Sequence, residues 1–179
     1  MMKTFGTWLK DDTAVAAIEA GLLFPLLMLI LCGTIDTGIG LLTSQKTINA
    51  SHMIADLLTR GSSVTSGEIN EAIAAGEMAF EPYNTSSYGA DIVGIQYLTS
   101  ELTPTIMWRR TQNMLPNTDV IDHSEGLGSQ DEGIIMVTVE YVYNPIFSDY
   151  MVGPIRMKEE TFARSRKGTF IASANGATP

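Results

Sequence analysis

The sequence predicts an α+β protein in which a long N-terminal transmembrane helix leads into a body with a short second helix and an antiparallel sheet of about four strands. Three observations predict it. Residues 20–35, AGLLFPLLMLILCGTI, carry no charge. Apolar residues at helical spacing follow directly. The second half of the chain then alternates apolar and polar residues in several short runs bounded by turn residues.

The uncharged run is closed by Asp36, and residues 37–42 are again nearly apolar. Counted to Leu42 it gives about 23 residues, enough at 1.5 Å each to cross roughly 30 Å of hydrocarbon. Inside lipid the backbone must satisfy its own hydrogen bonds, so such a segment is helical. A cleaved secretory signal has a shorter apolar stretch and a small-residue cleavage site, and neither is present. Leu29-Ile30-Leu31-Cys32 is similar to a lipoprotein cleavage site, but Leu31 stands where a small residue is needed. Lys3 and Lys10 precede the run and favour a cytoplasmic N-terminus, with Lys46 and Arg60 on the far side opposing them.

Beyond the membrane the helix is expected to continue to Arg60. Ala50, Met53, Ile54, Leu57 and Leu58 follow the i, i+3, i+4, i+7, i+8 pattern, and Gly61-Ser62-Ser63 ends it. Thr65-Ser66-Gly67-Glu68 reads as a capping box opening a second helix, with Ile69, Ala72, Ile73 and Gly76 on one face and Pro82 after it. Val93, Ile95 and Tyr97 alternate, as do Ile106 and Trp108. Residues 134–143 form the clearest strand, and residues 155–165 place Ile155, Met157, Thr161 and Ala163 on one side. The expected organisation is a cytoplasmic leader at 1–14, a transmembrane helix at 15–43, its extension at 44–60, an α+β domain at 61–168 and a tail at 169–179.

The formal net charge is -9, with a pI near 4.6, which disfavours a nucleic-acid partner. Arg156, Lys158, Arg164, Arg166 and Lys167 cluster late in the chain; they form either a solvated strand or a contact with an acidic neighbour. Asp119, Asp122, His123, Glu125, Asp131 and Glu132 crowd residues 117–132. Of these, Asp119, Asp122, Glu125 and Asp131 are weak candidates for holding a cation, but their spacing is not that of an EF-hand, and a solvated surface loop is the simpler reading. His52 and His123 lack metal-ligand partners in sequence. No phosphate-binding glycine loop, His-Glu-x-x-His or Gly-x-Ser-x-Gly motif occurs. The expectation is a protein that is not an enzyme and needs no cofactor.

Glu19 stands at the entrance of the uncharged run, where a carboxylate is expensive and marks a functional position by default. The stretch Asp12-Thr13-Ala14-Val15-Ala16-Ala17-Ile18-Glu19, followed by Ala20-Gly21-Leu22-Leu23-Phe24-Pro25, resembles the membrane-entrance motif of the TadE/TadG-like minor pilins (pseudopilins) of the tight-adherence (Flp) pilus system. Asp36-x-Gly38 is similar to the acidic-x-Gly that closes the family's membrane segment, and Tyr141-x-Tyr143-x-Pro145-x-Phe147 before the last strand also resembles the family.

The resemblance implies a pilin-like domain in the periplasm on a single-pass inner-membrane anchor. It also implies a role in pilus assembly, with adhesion as its biological setting and incorporation in a surface fibre open. The implied partners are other pilins or pseudopilins, the Tad assembly-platform proteins and prepilin peptidase. In pilins the glutamate is the fifth residue after the peptidase cut, which maps the cut between Ala14 and Val15; pilin signals carry Gly where this chain has Ala14, so cleavage and an intact anchor both stay open. Glu19 would neutralise the freed amine of Val15 in a neighbouring subunit and so set helix register. Gly21, Pro25, Gly33, Asp36 and Gly38 are the further helix-packing positions, the glycines allowing close approach and Pro25 favouring a kink. A membrane-anchored periplasmic binding or sensing module unrelated to pili is the alternative.

Overall fold

A computed structural model of the chain describes residues 12–98, 102–147, 149–166 and 171–173. The predicted leader residues 1–11 and most of the predicted tail lie outside them. The chain is α+β. Helix α1 (Asp12–Leu58) runs for 47 residues straight through Pro25. Helix α2 (Ser66–Met78) follows after the two-residue strand β1 (Ser63–Val64). Strands β2 (Gly89–Tyr97), β3 (Pro104–Gln112), β4 (Gly133–Tyr143) and β5 (Ile155–Arg164) form one antiparallel sheet in the order β3-β2-β4-β5. Two one-turn helices, α3 (Val120–Ser124) and α4 (Asp149–Val152), sit in the connections. A final strand, β6 (Ala172–Ser173), pairs in parallel with β1.

The capping box of α2 forms as its sequence dictates. Thr65 Oγ1 accepts from Glu68 N, and Glu68 Oε2 accepts from Thr65 N at 2.7 Å. The Thr65 N–H and the Thr65 hydroxyl, both donating to Oε2, hold the Glu68 carboxyl below the usual glutamate range. Ile69, Ala72, Ile73 and Gly76 are buried, as their spacing predicts. Gly76 is required there: a Cβ would lie 2.6 Å from Tyr88 Oη and 2.7 Å from Ile54 Cδ1, so α1 and α2 pack through the missing side chain. Lys46 on α1 closes the other end of α2, donating to the carbonyls of Ala79 and Glu81 at 2.8 and 2.9 Å.

Both helices cover one face of the sheet. Ala90, Ile92, Ile135, Val137, Val139, Tyr141 and Tyr143 point into this core with Ile54, Leu58 and Phe80. Phe80 stacks on Tyr141 at 4.6 Å between ring centroids, and Trp108 lies over Gly94, its indole donating to Ile171 O. The predicted facing of β5 holds, since Thr161 bonds Ser51 on α1 at 2.7 Å and Met157 and Ala163 pack against the helix-side core.

The opposite face departs from expectation. Val93, Ile95 and Tyr97 do share a face, but with Ile134, Met136 and Val120 they build a second core. The stretch at 117–132, expected as a solvated loop, is therefore partly a lid over the sheet, with Asn117, Val120 and Ser124 buried. Beneath it Thr111, Asp91, Thr138 and Glu160 form a polar row across all four strands. Asp91 is fully buried and is held by Arg109 through Nε and Nη2, by Thr111 Oγ1 at 2.7 Å and by the backbone N–H of Asn117 at 2.9 Å. The Asn117 N–H on Asp91 and the Arg109 bond to Asn117 O tie the lid to this ion pair, and removing Arg109 would leave the buried Asp91 charge uncompensated.

Candidate functional site

The surface that distinguishes this molecule is α1, which splits into two unlike segments. Over residues 15–35 no residue is buried by the described part of the chain, and the large apolar side chains face outward, Leu22 being 76 % exposed. These 21 residues span about 31 Å at 1.5 Å per residue, against roughly 30 Å of hydrocarbon in a bilayer. Among the described residues this is the one helix long and apolar enough to cross a membrane.

From Asp36 onward the same helix is docked. Asp36, Thr43, Thr47, Ala50, Ser51, Ile54 and Leu58 are buried against the sheet, with Ile39 and Gly40 partly so. The first part of this stripe is small and polar. Its hydroxyls are satisfied within the helix, Thr43 Oγ1 donating to Ile39 O at 2.8 Å and Thr47 Oγ1 to Thr43 O at 3.0 Å. Burying them therefore leaves no polar group unpaired. Gly40 admits the ring of Tyr143, which an added Cβ would meet at 3.4 Å. Of the residues predicted to face the sheet, Ala50, Ile54 and Leu58 are buried, Leu57 is half-buried and Met53 is exposed.

The two segments meet at Asp36, only 4 % exposed. Its Oδ1 accepts from Ile146 N at 2.9 Å and its Oδ2 from Phe147 N at 3.0 Å, while Tyr143 Oη donates to Asp36 O at 3.1 Å. Burial, followed by the proximity of Asp36, raises the Tyr143 phenol above its ordinary range, so it stays a donor. Asp36 is thus a latch that ties the helix to the β4–β5 connection. The sequence suggested it only as a helix-packing position; its partners lie 110 residues away, beyond the reach of any spacing argument.

The other anticipated helix positions remain open, all but Gly38 on the outer segment. Glu19 and Pro25 are exposed, and a Cβ added at Gly21, Gly33 or Gly38 would meet nothing. Val15 is exposed, and the side chain of Ala14 lies outside the described residues. All of them lie along one helix, where Val15 and Glu19, like Gly21 and Pro25, are i, i+4 neighbours.

The acidic candidates do not converge either. No group of three or more His, Cys, Asp or Glu side chains that could hold a metal ion exists among the described residues. Asp119 faces Lys158 at 3.9 Å, and Asp131 occupies a turn with φ 65°. His123 instead bonds Glu160, which also takes Lys158 and Asn117. Burial opposes the charge on Glu160, but the bonds from Lys158, His123 and Asn117 outweigh it and hold its carboxyl below the ordinary range. The described members of the late basic cluster are likewise paired within the chain, Arg156 with Glu140, Lys158 with Glu160, Arg164 with Glu132 and Arg166 with Asp56, while Lys167 lies outside the described residues.

No curated protein and no solved structure matches the chain. Residues 14–56 match the family described as TadE-like protein. The match takes in Glu19, the whole exposed apolar segment, the Asp36 latch and most of the docked stripe, and it ends before the sheet. Residues 14–56 are thus similar to TadE-like proteins, in agreement with the motif at the membrane entrance.

Proposed function

We propose that this protein is a minor pilin or pseudopilin-like component of Tad (Flp) pilus assembly that acts mechanically. Residues 15–35 sit in the inner membrane with the N-terminus cytoplasmic, and the sheet domain faces the periplasm. The exposed glycine-bearing surface of α1 packs against the helices of other pilins, and the domain presents its outer surface to assembly-platform proteins. No catalytic step is assigned to it.

The observation that carries this reading is the abrupt change along one helix, from an uncovered apolar surface bearing Glu19 to a surface docked on the sheet. A soluble protein would not leave so many large apolar side chains in water. Glu19, unpartnered by the described part of its own chain, suits a charge supplied by another subunit, such as the amine freed at Val15.

Two measurements test the proposal. Mass spectrometry of the mature protein is expected to find a chain beginning at Val15. Glu19→Leu is expected to keep the protein in the membrane while reducing the amount cross-linked to other pilins. An intact leader together with unimpaired cross-linking of Glu19→Leu would remove the pilin role and leave the anchored binding or sensing module standing.

A further inference from the structure

The β4–β5 connection carries an unexplained apolar surface. Ile146 is 65 % exposed, Phe147 55 % and Val152 61 %, all within eight residues of one another. An apolar groove of about 300 Å³, lined among others by Gly40, Leu41, Pro145, Val152 and Ile155, joins this connection to α1. Such a cluster is costly in water and marks a contact surface.

Its location identifies the contact. The backbone amides of Ile146 and Phe147 are bonded to the carboxylate of Asp36, the first residue after the exposed apolar segment of α1. If the membrane ends where that segment ends, the connection lies at the lipid surface. If it extends to residue 43, the connection lies below the surface. Among the described residues of the loop, the amides of Ile146 and Phe147 are satisfied by Asp36, and Gly153, at φ +70°, closes α4 by donating to Asp149 O at 3.0 Å, as backbone at low dielectric requires. Aromatic and aliphatic side chains at the level of the headgroups are the usual anchors of such a contact.

We infer that the β4–β5 connection is a second membrane contact, with Ile146, Phe147 and Val152 inserted into the lipid interface beside the point where α1 leaves it. The occupant of this apolar surface is the bilayer itself. The inference rests on the anchor reading of residues 15–35, and the test separates the two.

The full chain, with its native cysteine removed by Cys32→Ser, is reconstituted at one copy per phosphatidylcholine/phosphatidylglycerol nanodisc. Nitroxide labels are placed in turn through Phe147→Cys, Leu26→Cys on the exposed helix, and Ser62→Cys past the far end of α1. Collision with oxygen, which concentrates in lipid, is compared with collision with a water-soluble nickel chelate. The expected result is a several-fold higher oxygen-to-nickel ratio at 147 than at 62, approaching the ratio at 26. A ratio at 147 equal to that at 62, with 26 in lipid, overturns the inference and leaves the anchor intact. A label at 147 shielded from both reagents means that protein covers it, which also overturns the inference. A label at 26 that reads as aqueous overturns the anchor and the inference together.

Discussion

The two segments of α1 share one backbone and obey different rules. Along residues 15–35 large apolar side chains point outward and glycines face empty space. Along residues 36–58 small and hydroxylated residues point inward, and apolar ones become buried only near the end. The difference reflects the solvent each segment meets. Lipid accepts any apolar side chain and asks little of its shape. The sheet asks for close approach, which Gly40, Thr43, Thr47 and Ser51 provide, with their hydroxyls paired before burial.

The sharpest way to break this contrast is a matched pair of truncations. Ile54→Ala, at a fully buried position, should cost about 2–4 kcal/mol of domain stability, read by chemical denaturation in detergent micelles. Leu22→Ala should leave the same denaturation curve within about 0.5 kcal/mol of wild type, since no protein group covers it. Equal losses would mean that the outer segment packs on the domain after all.

Glycines give a second pair. Gly76→Ala should cost about 1–3 kcal/mol, because its Cβ would collide with Tyr88 and Ile54. Gly33→Ala has open space and should leave stability unchanged or slightly raised through helix propensity. Thermal melts of the two variants decide it.

The border itself is tested by Asp36→Ala. Losing two bonds to a charged acceptor is expected to destabilise by about 1.5–3 kcal/mol. The specific signature is faster hydrogen exchange at the amides of Ile146 and Phe147, with α2 amides unaffected. Uniformly faster exchange would show that Asp36 supports the whole fold rather than the border.

The smallest expected effect lies on the face away from α1. The Glu160 carboxyl titrates below its ordinary value of 4.5 in the folded protein, burial being outweighed by Lys158, His123 and Asn117. Its contribution is therefore fully present above 4.5 and is lost as pH falls through the folded value. Wild type should lose more stability than Glu160→Gln over that acidic window, and parallel pH profiles would contradict the bonding described.

Much of this was legible in the chain. The membrane segment announced itself by composition, α2 by its capping box and β4 and β5 by alternation, because each signal is local. The docked stripe was half-hidden, since a search for apolar periodicity passes over Thr43, Thr47 and Ser51, which qualify for burial only through hydrogen bonds. The lid at 117–132 read as solvent-facing because its burial rests on Asn117, Val120 and Ser124 amid charged neighbours. Asp91 could have signalled it: an acid inside the apolar run Ala90-Asp91-Ile92-Val93 needs a buried partner, and Arg109 is that partner. Asp36 itself stood out as the acid that closes the apolar run, but its bonds to Ile146 and Phe147 left no local trace.

The unbroken passage of α1 from lipid into the domain has a mechanical corollary. The sheet is mounted on the upper part of the shaft, so it has no separate tether to stretch or swivel. A slip of one turn between this shaft and a neighbouring one would raise the entire sheet by about 5.4 Å without altering its interior. Force applied at the bottom would arrive at the top as displacement.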